Sequence, residues 1–272
     1  MAIFLRKLFG LRTEVVTTRR GVTWRLNLKE GIDFAIYFLG GFELGSLKKY
    51  TKIIRPGDVV LDIGANIGAH TLPLAVLVGD SGKVYSFEPT AYAFAKQLEN
   101  IALNSELAPR IVTNQVMLIA AECDPMPGAV YSSWPLEAAE DLHADHHGRL
   151  MATHGALKMT LDAFVHSADV VRVDFIKLDV DGNEYDVLLG AKRLLGTLKP
   201  KIVLELAPYV YNCQPERFGA LLNYLWALGY ELCDLSAGHC LPRDEDQIRR
   251  LIPDGGGVNV LARQPEYESL QG

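Results

Sequence analysis

A short run of residues near position 60 has the composition of a ligand-binding turn. The apolar stretch 59–63 contains an acid and leads into small residues, namely Asp62, Gly64, Ala65, Asn66 and Gly68. Because glycine has no Cβ, the chain can turn sharply here and approach a ligand. A helix that follows directs free N–H groups and the positive end of its dipole at whatever lies over the turn. An acid beside such a turn favours a ligand with a cationic end over a bare pyrophosphate.

A second carboxylate ends the next β-rich run, at Glu88. It lies about 20 residues after Gly68, the distance at which βαβ nucleotide folds place an acid on the ribose hydroxyls. Pro89 ends the strand and keeps Glu88 extended at its tip. Taken alone, Glu88 would be interpreted as a solvated acid that ends a strand. Together with the turn it indicates a ribose diol and therefore a nucleotide ligand.

Three ionisable residues follow one another in a predicted central strand within 175–184. A strand period of two places Lys177, Asp179 and Asp181 on one face. Ionisable groups on a buried strand cost free energy unless they are paired or functional. Lys177 is expected to pair with Glu205 on the following strand. Asp179 lies nearer the open end and is the stronger candidate for chemistry.

A mostly parallel sheet with helices on both faces must position these groups, because strand and helix patterns alternate from residue 58 onward. Seven strands are predicted, the last two close enough in sequence for an antiparallel edge: 59–63, 83–89, 111–119, 174–180, 201–206, 230–235 and 258–262. The predicted helices are 69–78, 91–103, 185–195 and 215–228. Ligands of such α/β sheets bind beyond the carboxyl ends of the strands, where these acids stand.

Length and composition fit one globular domain with extensions. The chain has 272 residues, of which 49% are hydrophobic and 22% charged. Residues 1–45 are a basic lead-in that could join a lid over the site, 46–265 form the ligand-binding domain with an irregular insertion at 123–157, and 266–272 are a tail. No apolar run is long enough for a membrane span.

Charge is unevenly distributed along the chain. Residues 1–30 carry a net charge of +5 and the remainder −11, within a total of −6. An acidic body argues against a nucleic-acid partner. Residues 1–12 mix apolar and basic side chains, as a peripheral contact with the inner face of a membrane would, although a packed N-terminal helix is the favoured interpretation.

The four cysteines show neither a CxxC pair nor regular spacing: Cys123, Cys213, Cys233 and Cys240. This pattern predicts buried thiols in a reducing compartment, and therefore a cytoplasmic protein.

Five motifs, in this order, resemble those of the FkbM family of methyltransferases. They are GANIG at 64–68, FEP at 87–89, TLD at 160–162, IKLDVDGNE at 176–184 and VLE at 203–205. The resemblance runs from about Gly41 to Ala262. It departs from the family at Asp181, where Glu is usual, at Asn183, where a small residue is usual, and near His70, where an aromatic residue is common. It implies a class I methyltransferase (Rossmann-like) α/β fold with seven strands and S-adenosylmethionine as cofactor.

The resemblance also implies roles for individual residues. The turn of Asp62, Gly64, Ala65, Asn66 and Gly68 would hold the methionine end of the cofactor, with Asp62 facing its ammonium directly or through water. Glu88 would bind the ribose, the end of the third strand at Asn114, Val116 and Met117 would line the adenine, and Asp179 would border the cofactor.

A hydroxyl acceptor needs a base as well as alignment with the methyl group. Asp179 is the first candidate for that base, followed by Asp181 and His70. Members of the family O-methylate sugars and natural products, so the resemblance implies that the acceptor is a hydroxyl of a sugar, a glycolipid precursor or a natural product.

A metal site is a weaker alternative. Asp179, Asp181 and Asn183 offer oxygen ligands for a divalent ion, but no further acid on a neighbouring strand clearly faces them. The cluster His143, His146 and His147 lacks standard zinc spacing and fits a loop or a substrate lid better.

Two other classes of function share part of the pattern. An NAD(P)-dependent oxidoreductase would have the turn and the ribose acid, but it expects GxGxxG rather than GANIG and a hydride-transfer constellation such as Tyr-x-x-x-Lys. A non-catalytic nucleotide-binding module would not need carboxylates at the end of the fourth strand. The sequence carries no motif that determines the oligomeric state.

Overall fold

A computed structural model describes residues 13–136 and 148–265. The strands are β1 (Glu14–Arg19), β2 (Val22–Asn27), β3 (Val59–Ile63), β4 (Lys83–Phe87), β5 (Ile111–Asn114), β6 (Val116–Leu118), β7 (Ala129–Ser133), β8 (Arg149–Ala152), β9 (Leu157–Met159), β10 (Phe175–Leu178), β11 (Lys201–Leu206), β12 (Glu231–Asp234) and β13 (Val258–Arg263). The α-helices are α1 (Gly31–Leu39), α2 (Leu44–Ile53), α3 (Thr71–Val78), α4 (Ala91–Ala102), α5 (Leu161–Ser167), α6 (Glu184–Leu189), α7 (Lys192–Thr197), α8 (Glu216–Ala227) and α9 (Glu245–Leu251).

Some predictions fall on residues outside these ranges. They are the membrane contact of residues 1–12, the cluster His143, His146 and His147, and the tail 266–272.

The central sheet has seven strands in the order β12-β13-β11-β10-β3-β4-β5. β13 is antiparallel to β11 and β12, and the other pairings are parallel. The predicted mostly parallel, seven-stranded class I methyltransferase sheet with an antiparallel edge is therefore confirmed. The chain runs outward in one direction from β3 to β5 and then crosses to β10 on the other side, so the strand order reverses between β3 and β10.

Both faces of the sheet are covered, as the alternation along its central strands requires. Leu61, Ile176 and Leu204 point into an apolar cluster with α5–α9. Their neighbours Val60 and Phe175 point into a second cluster on the opposite face, with the hairpin β1–β2 and helices α1–α4.

Residues 13–45 are folded onto this second face. Two asparagines hold the hairpin β1–β2 in place, Asn100 in α4 and Asn104 just after it. The Asn100 Oδ1 atom accepts the N–H of Arg25 at 2.8 Å, and the Asn104 Oδ1 atom accepts that of Thr23 at 2.8 Å. These bonds satisfy backbone groups that an edge strand leaves unpaired.

Several predicted boundaries were wrong. The predicted third strand 111–119 breaks after Asn114 into β5, in the main sheet, and β6, which pairs with β9. The predicted irregular insertion 123–157 contains the antiparallel pair β7–β8. The predicted helix 185–195 is two helices, separated near Gly190, where a Cβ would lie 2.2 Å from the Ile119 carbonyl oxygen.

The cysteine prediction was also wrong. Cys233 and Cys240 form a disulfide across an antiparallel bridge, and Cys123 and Cys213 are exposed free thiols. A turn after β12 brings Cys240 back beside Cys233, since the Asp234 N–H bonds the His239 carbonyl at 2.8 Å. A sequence separation of seven matches no standard cysteine motif, so no pattern indicated this disulfide. The cytoplasmic location stays a prediction.

No helix within 13–136 or 148–265 combines the length and the apolar character needed to cross a membrane.

Candidate active site at the strand switch point

A cavity of about 700 Å³ opens at the carboxyl ends of β3, β4 and β10, where the strand order reverses. Residues from β6, the β7–β8 pair and the α1–α2 region complete its walls, among them Met117, Tyr131, Trp134, Ile32 and Phe42. Its size is that of sites for cofactors and small molecules. The lead-in and the insertion thus both contribute to the cavity.

The glycine turn packs directly against the end of β10. Gly64 has φ +79°, and a Cβ at this position would lie 1.8 Å from the Asp179 carbonyl oxygen. Only glycine combines this conformation with so close an approach. Asn66 also has a positive φ, +48°, and its side-chain amide donates to the Ser132 carbonyl of β7 at 2.8 Å. The turn therefore links the main sheet to the insertion.

Glu88 faces the cavity from the end of β4 with its carboxylate fixed by three hydrogen bonds. Oε2 accepts the Asn66 N–H at 2.9 Å, and Oε1 accepts the N–H and the hydroxyl of Thr90 at 2.9 and 2.5 Å. A carboxylate has about four acceptor positions, so capacity is left for a ligand hydroxyl. Burial raises the pKa of Glu88, although these bonds oppose the shift.

Asp62 lies beneath the cavity rather than in its wall. Its side chain is fully buried, and Oδ2 accepts the Thr71 hydroxyl at 2.6 Å. Its other oxygen, Oδ1, has no hydrogen-bond partner and lies 3.9 Å from Lys177 Nζ. Burial raises the pKa of Asp62, and Lys177 opposes that shift.

Lys177 is a buried cation at the centre of the site. Its Nζ donates to the Gly64 carbonyl at 3.1 Å and lies 3.2 Å from Asp179 Oδ2. Burial opposes the charge, but the carboxylates of Asp179, Asp62 and Glu43 raise the pKa of Lys177 above its ordinary value, so it is an ammonium at neutral pH. The predicted pair with Glu205 is wrong, because β10 places Lys177 opposite Asp62 and Val203.

Asp179 and Asp181 lie in the turn after β10, because the strand ends at Leu178. The prediction that Lys177, Asp179 and Asp181 share one face of a strand is therefore wrong, since only Lys177 lies within β10. Glu184 supports this turn: its carboxylate accepts the Val180 and Gly182 N–H groups at 3.1 Å and the Tyr211 hydroxyl at 2.6 Å. Burial raises the pKa of Glu184.

Four acids other than Glu88 line the cavity: Glu43, Asp179, Asp181 and Glu205. Burial raises the pKa of Asp181 well above its ordinary value, and repulsion from Asp179 and other acids adds to the shift. Burial and the same repulsion raise the pKa of Glu205 to about 7. These carboxylates therefore repel one another electrostatically.

His70 also lines the cavity, and its ring contacts those of Phe42 and Tyr50. It is 3% exposed, and neither ring nitrogen makes a hydrogen bond. Nε2 lies 3.5 Å from Glu43 Oε2. Burial and the charge of Lys177 lower the pKa of His70 well below its ordinary value, so this contact joins a neutral imidazole to the acid.

The family comparison agrees with this geometry. The model of the methyltransferase FkbM domain matches residues 62–232, which extend from Asp62 on β3 into β12. The chain belongs to the FkbM methyltransferase family.

Among curated relatives, the FkbM chain is 28% identical over 150 residues to the hexuronic acid methyltransferase AglP of Haloferax volcanii, covering 54% of this chain and 55% of the relative. The chain thus spans about half the length of this relative.

Solved structures include methyltransferase FkbM of Methylobacillus flagellatus, with TM-score 0.44, 16% identity and coverage of 79% of this chain and 50% of that one. Fibrillarin of Aeropyrum pernix with natively bound S-adenosyl-L-methionine has TM-score 0.44, 14% identity and coverage of 93% and 84%. Neither likeness is close enough to transfer a ligand or an activity.

The structure of this chain brings most of the predicted site residues into one cavity. Those that line it are Gly64, Ala65, Asn66, His70, Glu88, Val116, Met117, Asp179 and Asp181. Three do not line it: Asp62 and Gly68 lie below or behind the turn, and the Asn114 amide instead donates to the Ser86 and Val112 carbonyls. This geometry does not favour direct contact of these three residues with a ligand.

The sequence did not reveal some members of the site. Glu43 precedes α2 without any motif, and its position in the wall follows from the folding of the lead-in over the sheet. Thr71, at the start of α3, holds Asp62 and was also missed. The position of Thr71 in the first turn of the helix that follows a strand acid is a signal that could have been used.

In the part of the FkbM chain that the structure describes, no group of three or more His, Cys, Asp or Glu side chains is arranged to hold a metal ion.

Proposed function

We propose that this protein is an S-adenosylmethionine-dependent methyltransferase that transfers the methyl group to a hydroxyl of a sugar. The observation that carries the proposal is that one cavity brings the Gly64 turn and Glu88 together with Asp179. The first two suit the nucleoside part of a cofactor, and the third suits an acceptor hydroxyl.

The residues present fit this cofactor. Glu88 retains acceptor capacity for a ribose diol, and the turn at Gly64 has no side chain that would fill the space above it. The apolar side chains of Val116 and Met117 offer a surface for the adenine ring of the cofactor. The acids of the cavity favour a ligand that carries positive charge.

S-adenosylmethionine, when bound, supplies an electrophilic methyl group on a sulfonium sulfur. The protein aligns the acceptor with that group and receives the proton of the hydroxyl. We assign the proton to Asp179, whose carboxylate lines the cavity and is oriented by Lys177. Lys177 is a positioning residue, because it acts through Asp179 and joins Asp179 to the turn at Gly64.

A sugar acceptor is supported by the relative from Haloferax volcanii, whose name specifies a hexuronic acid. The cavity is also lined by many hydrogen-bond acceptors, as the hydroxyls of a sugar require.

The test is methyl transfer from S-adenosylmethionine labelled in its methyl group to a panel of hexoses, amino sugars and hexuronic acids. We expect a sugar product whose label resists mild alkali, since a methyl ether does and a methyl ester does not. An alkali-labile ester, or transfer to a non-sugar acceptor alone, would contradict the proposal. The Asp179→Asn variant serves as the control for transfer at this site.

A further inference from the structure

The cavity holds more acidic side chains than the proposed cofactor needs. Its described walls contain the carboxylates of Glu43, Glu88, Asp179, Asp181 and Glu205, and Lys177 is the single Lys or Arg among them. Lys177 is already shared between Asp179 and Asp62. Glu88 is assigned to the ribose and Asp179 to the proton of the acceptor, which leaves Glu43, Asp181 and Glu205 without a role.

A neutral imidazole lies in the same wall, with Nε2 3.5 Å from Glu43 Oε2. His70 is 3% exposed and lines the cavity, yet both of its ring nitrogens lack a hydrogen bond. A buried polar group without a partner costs free energy, and such groups are explained by a ligand or by water. His70 is therefore an independent sign that a polar group of a ligand binds beside Glu43.

Backbone strain is present at Glu43, one of these acids. Glu43 has φ +45°, in the left-handed region that residues other than glycine, Asn and Asp rarely adopt. Such strain persists where the surrounding structure enforces it, and it is concentrated at ligand sites. The carboxylate of Glu43 is thus held in the wall against a local cost.

We propose that Glu43, His70, Asp181 and Glu205 form a cation-binding chamber that takes the ammonium group of an amine-bearing acceptor, an amino sugar being the matching class. The inference rests on the proposed function, because it names the acceptor of that reaction. Carboxylates accept hydrogen bonds and carry negative charge, and a neutral imidazole accepts through one nitrogen. Together they match a cationic donor group and repel the carboxylate of a hexuronic acid.

The test compares the binding of D-glucosamine, D-glucose and D-glucuronate to the full chain by saturation-transfer NMR. We expect glucosamine to bind at least about tenfold more tightly than glucuronate, with glucose between them. Glu205→Gln and Asp181→Asn should each weaken glucosamine binding about tenfold and change glucose binding less than about twofold. Glu106→Gln, an exposed acid outside the cavity, is the matched control and should change neither.

A second measurement separates charge recognition from a structural effect. Glu205 has a pKa of about 7 and is surrounded by Asp179, Glu43, Glu184, Asp181 and Lys177. An ammonium bound beside it favours its ionised form, so glucosamine should release protons at pH 7 and glucose should not. Calorimetry in buffers of different ionisation enthalpy measures this release, and Glu205→Gln should abolish most of it.

Three results would overturn the inference. They are equal or tighter binding of glucuronate, no detectable binding of any of the three sugars, and Glu205→Gln and Asp181→Asn variants that behave like Glu106→Gln. Binding of S-adenosylmethionine is measured separately, without sugar. Failure of that binding alone would remove the proposed function while leaving the recognition of amines by the chamber intact.

Discussion

Asp179 and Lys177 form an ion pair in the wall of the cavity, with 3.2 Å between Nζ and Oδ2. Lys177 also contacts Gly64 and Asp62, so the orientation of Asp179 is set by three other groups of the site. If Asp179 receives the proton of the acceptor, its charge must matter for turnover more than for cofactor binding.

Asp179→Asn should therefore lower the single-turnover rate of methyl transfer by about 10²–10⁴-fold, the usual contribution of a general base. The dissociation constant for S-adenosylmethionine should change by less than about threefold. Rapid-quench measurement of one turnover at saturating cofactor checks the rate, and Glu106→Gln is the control. An unchanged single-turnover rate would show that Asp179 is not the base.

At the scale of elements, the site depends on the close contact between the ends of β3 and β10. Gly64 has φ +79°, and its missing Cβ leaves room for the Asp179 carbonyl oxygen. The same contact presents Asp179 to the cavity. Any side chain at position 64 must move one of these two strand ends.

Gly64→Ala should destabilise the fold by at least about 2 kcal/mol, from the left-handed backbone and the overlap with Asp179. Gly196→Ala is the matched control, since a Cβ at this position in α7 meets no atom within 4 Å. It should stabilise the protein by about 0.5–1 kcal/mol through helix propensity. Urea unfolding of both variants measures the difference, and equal stabilities would refute the proposed role of the contact.

At the same scale, most strands of the central sheet were predictable from the sequence. The apolar runs of β3 and β11 and the acids at 62 and 88 follow local rules, so the sheet and its binding edge were found. The split of the third strand was not predictable, because β6 turns away to pair with β9, which is distant in sequence. The same holds for Glu43, whose position depends on packing of the lead-in over the sheet.

Long-range contacts also decided which charges pair. The sequence suggested Glu205 for Lys177, since both were placed on adjacent strands. The observed register puts Asp62 directly opposite Lys177 on β3 and moves Glu205 two residues beyond it on β11. Strand order and register are properties of the folded sheet, and the periodicity of one strand does not contain them.

At the scale of the whole molecule, the clustered acidic side chains of the cavity make the free energy of unfolding depend on pH. The pKa of Glu205 is about 7 in the folded protein, above the ordinary value of 4.5. The folded state therefore binds the proton more tightly than the unfolded state does. The stabilisation is fully present below about pH 4.5 and is lost as the pH rises through 7.

Glu205→Gln removes this dependence. The variant should be more stable than the unmodified protein at pH 8, by at most about 3 kcal/mol, and the difference should shrink towards pH 5. Thermal unfolding of both proteins across this range provides the measurement, with Glu106→Gln as control. A difference that stays constant with pH would contradict the raised pKa.

The central claim is that the Gly64 turn and Glu88 bind S-adenosylmethionine. Calorimetric titration of the full chain with S-adenosylmethionine and, separately, with NADH tests it most directly. We expect a dissociation constant on the order of micromolar for S-adenosylmethionine, no binding of NADH, and about tenfold weaker binding of S-adenosylmethionine to Glu88→Gln. Binding of NADH without binding of S-adenosylmethionine would contradict the account.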